Sequence, residues 1–107
     1  MFINLTPHEI RVRLTNGEEF KFAPSGQAAR VSVTSEKVAE PEGIPVLRQV
    51  FGAVQGLPEP EEGVIYITST LVAQVAKRVD VVSPDTGPTA IREAGQVVAV
   101  RGLQAFA

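Results

Sequence analysis

Apolar and polar residues alternate along several short stretches of this chain, with the period of two that β-strands with one buried face show. The two clearest alternating runs are residues 9–14 and 18–22. Further strand-like stretches lie at residues 1–6, 29–34, 44–51, 64–67, 79–82 and 96–101. Turn-forming Gly and Pro residues separate most of these stretches, so the pattern predicts a β-rich protein built from short strands.

The first two runs predict a hairpin whose register depends on the loop between them. A two-residue turn ending at Gly17 pairs Val12 with Lys21 and so places apolar and charged side chains on the same face. A three-residue loop at residues 15–17, with Gly17 in the left-handed conformation, pairs Val12 with Phe20 instead. The pattern therefore predicts a bulged hairpin with the three-residue loop.

The stretch at residues 63–84 is apolar enough to form part of the core, and it predicts a strand, a helix and a second strand in succession. The apolar residues that recur at helical spacing are Leu71, Val72, Val75, Ala76 and Val79. They predict one short helix over residues 71–77 with a buried face. The connection between the two strands is only about ten residues long, at the lower limit for a parallel crossover.

These elements predict an α+β fold, with a mainly antiparallel β-sheet or a small barrel-like β domain and one short helix at about residues 71–77. The alternative is a small α/β fold in which the helix joins two parallel strands in a tight βαβ unit. A chain of 107 residues predicts a single domain over residues 1–107. Residues 35–43 are rich in Glu and predict a solvated loop.

Composition narrows the classes of function. The formal net charge is −2, whereas general nucleic-acid binders carry a basic surface, so such binding is not expected. The chain has no cysteine and one histidine, so we predict neither a disulfide nor a metal site and expect no cofactor. No apolar run approaches the roughly 18 residues of a transmembrane helix, and no signal peptide is recognised. We therefore expect a cytoplasmic protein that does not bind membranes.

Two polar clusters are candidate parts of a binding site. Ser69 and Thr70 lie where the predicted helix begins, and the free backbone N–H groups at that end of a helix can hold an anion. Asp85 and Arg92 flank a turn-rich loop, and an arginine can bind phosphate or carboxylate through two N–H groups. If this loop folds against the helix start, both clusters line one cleft.

Arg78 and His8 complete the predicted ligand-binding set. Arg78 either forms a structural ion pair with Asp80 or takes part in binding. His8 either occupies a turn after Pro7 or bonds to a ligand, since an imidazole titrates near neutral pH. No arrangement of Ser and Asp near His8 indicates a triad, so we predict no catalytic residue and do not expect an enzyme. The complete predicted set is His8, Ser69, Thr70, Arg78, Asp85 and Arg92.

Four short motifs resemble those of a family of small uncharacterised bacterial and phage-associated proteins. The motifs are Asn4-Leu5-Thr6-Pro7-His8, Pro24-Ser25-Gly26 followed by Ala29-Arg30-Val31, Tyr66-Ile67 with Ser69, and Arg78-x-Asp80 followed by Ser83-Pro84-Asp85. The resemblance spans nearly the whole chain and implies a context of phage or mobile-element genes, with no assigned activity. Members of that family often carry an Arg-Asp pair before the terminal glycine turn, where this chain has Arg92-Glu93.

Two hypotheses of function follow from these observations. The first is a non-enzymatic accessory protein that binds a small anionic ligand, with nucleotides among the candidates, near the start of the helix. The second is a protein-interaction or oligomeric assembly protein of phage or mobile-element origin. In the second hypothesis, edge strands and Glu-rich loops contact a second copy of the chain or a host protein.

Overall fold

The computed structural model describes residues 1–107 and contains ten strands, one α-helix and one 3₁₀ turn. The strands are β1 (Phe2–Asn4), β2 (Ile10–Arg13), β3 (Glu19–Phe22), β4 (Arg30–Ala39), β5 (Val46–Gln55), β6 (Ile65–Ile67), β7 (Val81–Pro84), β8 (Ile91–Glu93), β9 (Gln96–Ala99) and β10 (Leu103–Ala105). The helix α1 is Thr70–Ala76, and the 3₁₀ turn is Pro41–Gly43. The prediction of a β-rich fold with one short helix is confirmed, and none of the sheets closes into a barrel.

A mixed four-stranded sheet in the order β1-β6-β7-β10 forms the centre of the fold. β1 and β7 each run parallel to β6, whereas β10 runs antiparallel to β7. The buried cluster that packs on this sheet comprises Leu5, Ala29, Val64, Tyr66 and Val72. Because Val72 belongs to α1, burial of this one side chain helps to hold the short helix against the sheet.

The chain from β6 through α1 to β7 is the tight parallel crossover that the sequence left open as an alternative. The helix ends at Ala76, and its C-cap residue Lys77 adopts a left-handed backbone conformation with φ 49° and ψ 43°. This residue turns the chain back toward the sheet within a few positions. Helical spacing predicted that Val79 lies on the buried face of the helix, and this is wrong because the helix ends three residues before it. Its side chain lies in the following turn and is 81% exposed.

The β2–β3 hairpin has the register that the apolar pattern predicted. Val12 pairs with Phe20 across the two strands. Gly17 has a φ of 93°, and its N–H donates to the Leu14 carbonyl at 3.0 Å. The three-residue loop is therefore confirmed, and the apolar side chains of both strands share one face.

The two longest strands, β4 and β5, form a separate antiparallel hairpin with ten residues on each side. We call this hairpin, residues 30–55, the arm. The prediction of a solvated loop at residues 35–43 is wrong, because β4 continues to Ala39 and a 3₁₀ turn follows almost at once. Charged residues lowered the strand signal there, although a strand exposed on both faces accepts them readily.

The arm makes the molecule elongated. The protein measures 52 × 37 × 24 Å and has a Cα radius of gyration of 16.4 Å. A compact domain of this length is expected to have a radius of gyration of about 13 Å. Only 15 of the 107 residues are buried, and none of them lies in the arm. The core is therefore small, and much of the chain lies outside it.

The last part of the chain forms a hairpin of β8 and β9. Its turn consists of Ala94 and Gly95, which have φ values of 52° and 80°. β10 follows and pairs antiparallel with β7, adding the fourth strand to the central sheet. The sequence did not predict β10, since three residues are too few to show an alternating pattern.

Candidate functional site

Ser69 and Thr70 lie at the start of α1, and both hydroxyl groups have partners within the chain. Ser69 is the N-cap residue, and its Oγ accepts a hydrogen bond from the Val72 N–H at 3.3 Å. Thr70 Oγ1 donates to Ser83 Oγ at 3.3 Å. Ser69 therefore stabilises the helix itself, while Thr70 connects the helix to a fully buried residue of β7.

Arg78 and Asp80 form an ion pair beside the turn that leads into β7. Arg78 Nε donates to Asp80 Oδ1 at 2.9 Å and Nη2 donates to Oδ2 at 2.5 Å, the two-point geometry that suits guanidinium and carboxylate. Nη1 donates to the Pro58 carbonyl at 2.9 Å and so holds the loop before β6. The hydrogen bond from Arg78 lowers the pKa of Asp80 below its usual range, against the opposing effect of partial burial.

Asp85 and Arg92 both bond to the backbone of the loop between β7 and β8. Asp85 Oδ1 accepts a hydrogen bond from the Gly87 N–H at 3.1 Å. Arg92 Nη2 donates to the Thr86 carbonyl at 2.8 Å, and Nη1 donates to the Gly87 carbonyl at 3.3 Å. The two side chains therefore support the same loop from either end, with Arg92 still exposed to solvent.

His8 is exposed, and its backbone is held by a buried asparagine. Asn4 is 2% exposed, and its Nδ2 donates to the carbonyls of His8 at 2.7 Å and Phe22 at 2.9 Å. Its Oδ1 accepts from both the N–H and the Oγ1 of Thr6. The sequence pattern did not indicate this role for Asn4. The one feature that could have indicated it is an amide side chain within the apolar first residues of the chain.

The six predicted ligand-binding residues do not share a cavity. The protein has three surface cavities, and none of them is lined by any of the six. The largest is an open cleft of about 360 Å³ lined by Phe2, Val12, Phe20, Phe22 and Leu103. Its entirely apolar lining offers no side-chain donor to an anion. The small anionic ligand therefore stays a prediction, and five of the six residues predicted to hold it, all except His8, already use their side chains in hydrogen bonds within the chain.

The arm carries most of the large apolar side chains that the protein leaves exposed. Seven of the twelve such residues lie between positions 33 and 51, namely Val33, Val38, Ile44, Val46, Leu47, Val50 and Phe51. Single apolar residues scattered on a surface are ordinary, whereas a contiguous patch marks a site of interaction. The arm is therefore the part of the surface where exposed apolar side chains are most concentrated.

Strand pairing divides the arm into two faces. We define the inner face as the side on which Val31 and Val54 reach the core, with Val33, Leu47 and Phe51 further along it. We define the outer face as the opposite side, which carries Thr34, Glu36, Val46, Arg48 and Val50. Both faces have exposed side chains beyond the base of the arm.

The arm is also a sheet of only two strands, so β4 and β5 each keep one edge without a strand partner. An isolated two-stranded hairpin is marginally stable in water, and a third strand or a covered face is usually needed. Exposed strand edges also favour pairing with another chain. The geometry of the arm is thus better suited to contact with another protein surface than to exposure.

Comparisons with protein-family models, with curated proteins and with solved structures found no match to this chain. The longest helix has seven residues, so no helix of this chain could span a membrane.

Proposed function

We propose that this protein is a non-enzymatic interaction or assembly protein and that its arm is covered by another protein surface in use. The observation that carries the proposal is a hairpin of two ten-residue strands that leaves seven large apolar side chains exposed. Burial of such side chains is the main favourable term in protein association. The resemblance to phage-associated proteins fits an assembly role, and the lack of cysteine suits a cytoplasmic setting.

Val46 and Val50 are the side chains most suitable for a test of this role. Both lie on the outer face, away from the body of the protein, and they are 43% and 42% exposed. Their burial in an interface removes apolar surface from water, which favours association. Because neither side chain belongs to the core cluster, a polar replacement is expected to weaken association with little effect on folding.

The experiment compares the double variant Val46→Ser/Val50→Ser with Val79→Ser. Val79 is an exposed apolar residue outside the arm, so it is a matched control for the loss of apolar surface. Light scattering of the purified protein and co-purification from cells would measure self-association and partner binding. The arm variant is expected to lose whichever association the native protein shows, whereas Val79→Ser keeps it. Equal retention in both variants would contradict the proposal.

A small anionic ligand is a second candidate, and the order of the central sheet favours it. The parallel strands β6 and β7 are followed by the polar residues Thr68 and Asp85, and ligands of open α/β sheets bind beyond the carboxyl ends of such strands. Calorimetry with nucleotides and phosphorylated metabolites would measure this binding in the native protein and in Arg92→Ala. Heat of binding that the variant loses would support the ligand, and a panel without any heat would count against it.

A further inference from the structure

We propose that the surface covering the outer face of the arm is the same face of a second copy of this chain, with the two arms parallel. This inference rests on the proposed function, since it names the partner of the arm. Each arm then supplies the covered face that the other lacks, and the two hairpins stack as a four-stranded sandwich. In each copy, the core packs against the inner face at the base of the arm, so it does not obstruct contact between the two outer faces.

Two unpaired charges near the middle of the outer face support this choice of partner. Glu36 and Arg48 are directly opposite each other in the strand register. Neither takes part in any of the ion pairs of the chain. The arm as a whole has equal numbers of acidic and basic residues, so two arms meet without net repulsion. The acidic residues of the arm are Glu36, Glu40 and Glu42, and the basic ones are Arg30, Lys37 and Arg48.

The register of these two residues also selects the symmetry of the dimer. A two-fold axis that runs along the arm places β4 of one copy over β5 of the other. Because Glu36 and Arg48 lie at the same height, each Glu36 then faces an Arg48 of the second copy, and the pair forms twice. A two-fold axis across the strands at this height places Glu36 over Glu36, which is repulsive. The charges therefore favour parallel arms.

The size of the outer face agrees with a weak dimer. The exposed part of the arm is about 30 Å long at about 3.3 Å per residue, and two strands are about 10 Å wide with their side chains. Such a face removes on the order of 500 Å² of accessible surface from each copy, or about 1,000 Å² for the pair, the lower limit of a specific interface. Dimerisation is therefore expected to be weak and to depend on protein concentration.

Charge reversal at these two positions tests the identity of the partner. Glu36→Arg and Arg48→Glu each place like charges in contact across the two-fold axis, and each is expected to weaken the dimer at least about tenfold. The double variant Glu36→Arg/Arg48→Glu restores both opposite-charge contacts and is expected to recover most of the native affinity. Sedimentation equilibrium of a concentration series measures all four proteins, with circular dichroism as the check of folding.

The control for this test is Glu62→Arg, which makes the same change of charge at an exposed loop position without an ion pair. It is expected to dimerise like the native protein. A native protein that stays monomeric throughout would overturn the inference, as would two single variants that dimerise normally or a double variant without recovery. A monomer whose arm still binds a different protein would overturn only the identity of the partner and leave the proposed function standing.

The direction of the arms can be measured independently. The chain has no cysteine, so Glu42→Cys at the tip of the arm accepts a single spin label. Parallel arms bring the two tips to roughly the 10 Å spacing of packed sheets, plus the length of the labels. Antiparallel arms that cross at residue 36 separate the tips by about 40 Å. A distance in the longer range would contradict the parallel arrangement.

Discussion

Asn4 shows how one buried polar side chain can organise a whole corner of the protein. Its amide group donates to two carbonyls and accepts two hydrogen bonds, so every polar atom of the side chain is used. The partners come from the segment after β1 and from β3, which lie apart in the sequence. A buried polar group with complete bonding specifies one arrangement of the chain, because any other arrangement leaves its partners unsatisfied.

Replacement of this residue is expected to destabilise the protein strongly. Asn4→Ala removes four hydrogen bonds and leaves the buried Thr6 N–H without a partner, although the Thr6 hydroxyl still donates to the His8 carbonyl. Each unsatisfied buried group costs about 1–3 kcal/mol. We expect the free energy of unfolding in urea to fall by about 3 kcal/mol. Asn16→Ala, in the exposed hairpin loop, is the control and is expected to cost less than about 1 kcal/mol. Equal losses in the two variants would show that Asn4 has no special role.

The Arg78–Asp80 ion pair predicts a specific pH dependence of stability. Folding lowers the pKa of Asp80, so the native state binds fewer protons than the unfolded state as the pH falls below the usual carboxyl value of 3.8. The contribution of the pair is therefore complete above that value and is lost progressively at lower pH. Urea unfolding between about pH 5 and pH 2 should show a smaller dependence on pH in Asp80→Asn than in the native protein.

A comparison with Asp85→Asn provides the control for this prediction. Asp85 also has a carboxylate that accepts a hydrogen bond, but its donor is a neutral backbone N–H and not a guanidinium. Asp85→Asn is expected to keep the acid-side slope that Asp80→Asn loses. An unchanged slope in Asp80→Asn would mean that the ion pair does not contribute to acid sensitivity.

At the scale of single elements, the β8–β9 turn contains a residue under backbone strain. Ala94 has a φ of 52°, in the left-handed region that is costly for residues with a Cβ atom, and Gly95 follows it with the same sign of φ. Two-residue turns of this kind favour Asn followed by Gly. Ala94→Asn is therefore expected to raise the free energy of unfolding by up to about 1 kcal/mol. Ala94→Val, which disfavours this backbone conformation further, should lower it.

The sequence allowed prediction of those elements whose pattern had only one consistent solution. In the β2–β3 hairpin, only the three-residue loop keeps Val12 and Phe20 on one face, and the structure has this register. The sequence pattern does not decide in the same way whether β6 and β7 pair in parallel. A connection of about ten residues permits both arrangements, and the deciding feature is the left-handed Lys77, which residue type does not predict.

The arm and the candidate site were harder to predict for different reasons. Charged residues such as Glu36 and Lys37 indicate a loop when a strand is assumed to have one buried face, but the arm has none beyond its base. Residue chemistry and closeness in sequence indicate the candidate ligand residues but not the groups to which those residues bond. Their hydrogen-bond partners, such as Ser83 for Thr70 and the Pro58 carbonyl for Arg78, depend on tertiary contacts that one sequence does not contain.

For the molecule as a whole, the arm and the core are separate sources of stability. None of the residues of the buried cluster lies in the exposed part of the arm, and the nearest contacts are those of Val31 and Val54 at its base. A variant in which a short Gly-containing turn replaces residues 35–47 should therefore keep a cooperative unfolding transition. Its free energy of unfolding is expected to lie within about 1 kcal/mol of that of the native monomer.

This shortened variant is also expected to stay monomeric at concentrations where the native protein associates, as measured by sedimentation. A control variant with substitutions of similar polarity in the loop at residues 58–62 should fold and associate like the native protein. Loss of cooperative unfolding after the arm is shortened would show that the arm belongs to the folding core. That result would concern only the stability of the protein and would leave open which partner binds the arm.

The order of the central sheet has a consequence for how fast the protein folds. Phe2 pairs with Ile65, so the first strand reaches its neighbour only after about 60 further residues have been synthesised. Contacts between such distant segments slow folding, because the loop between them must close before strand pairing can stabilise the chain. The arm, whose strands are adjacent in sequence, can pair much earlier. Newly made chains are thus expected to pair the strands of the arm while their core is still incomplete, and a chaperone would meet this marginally stable, apolar hairpin first.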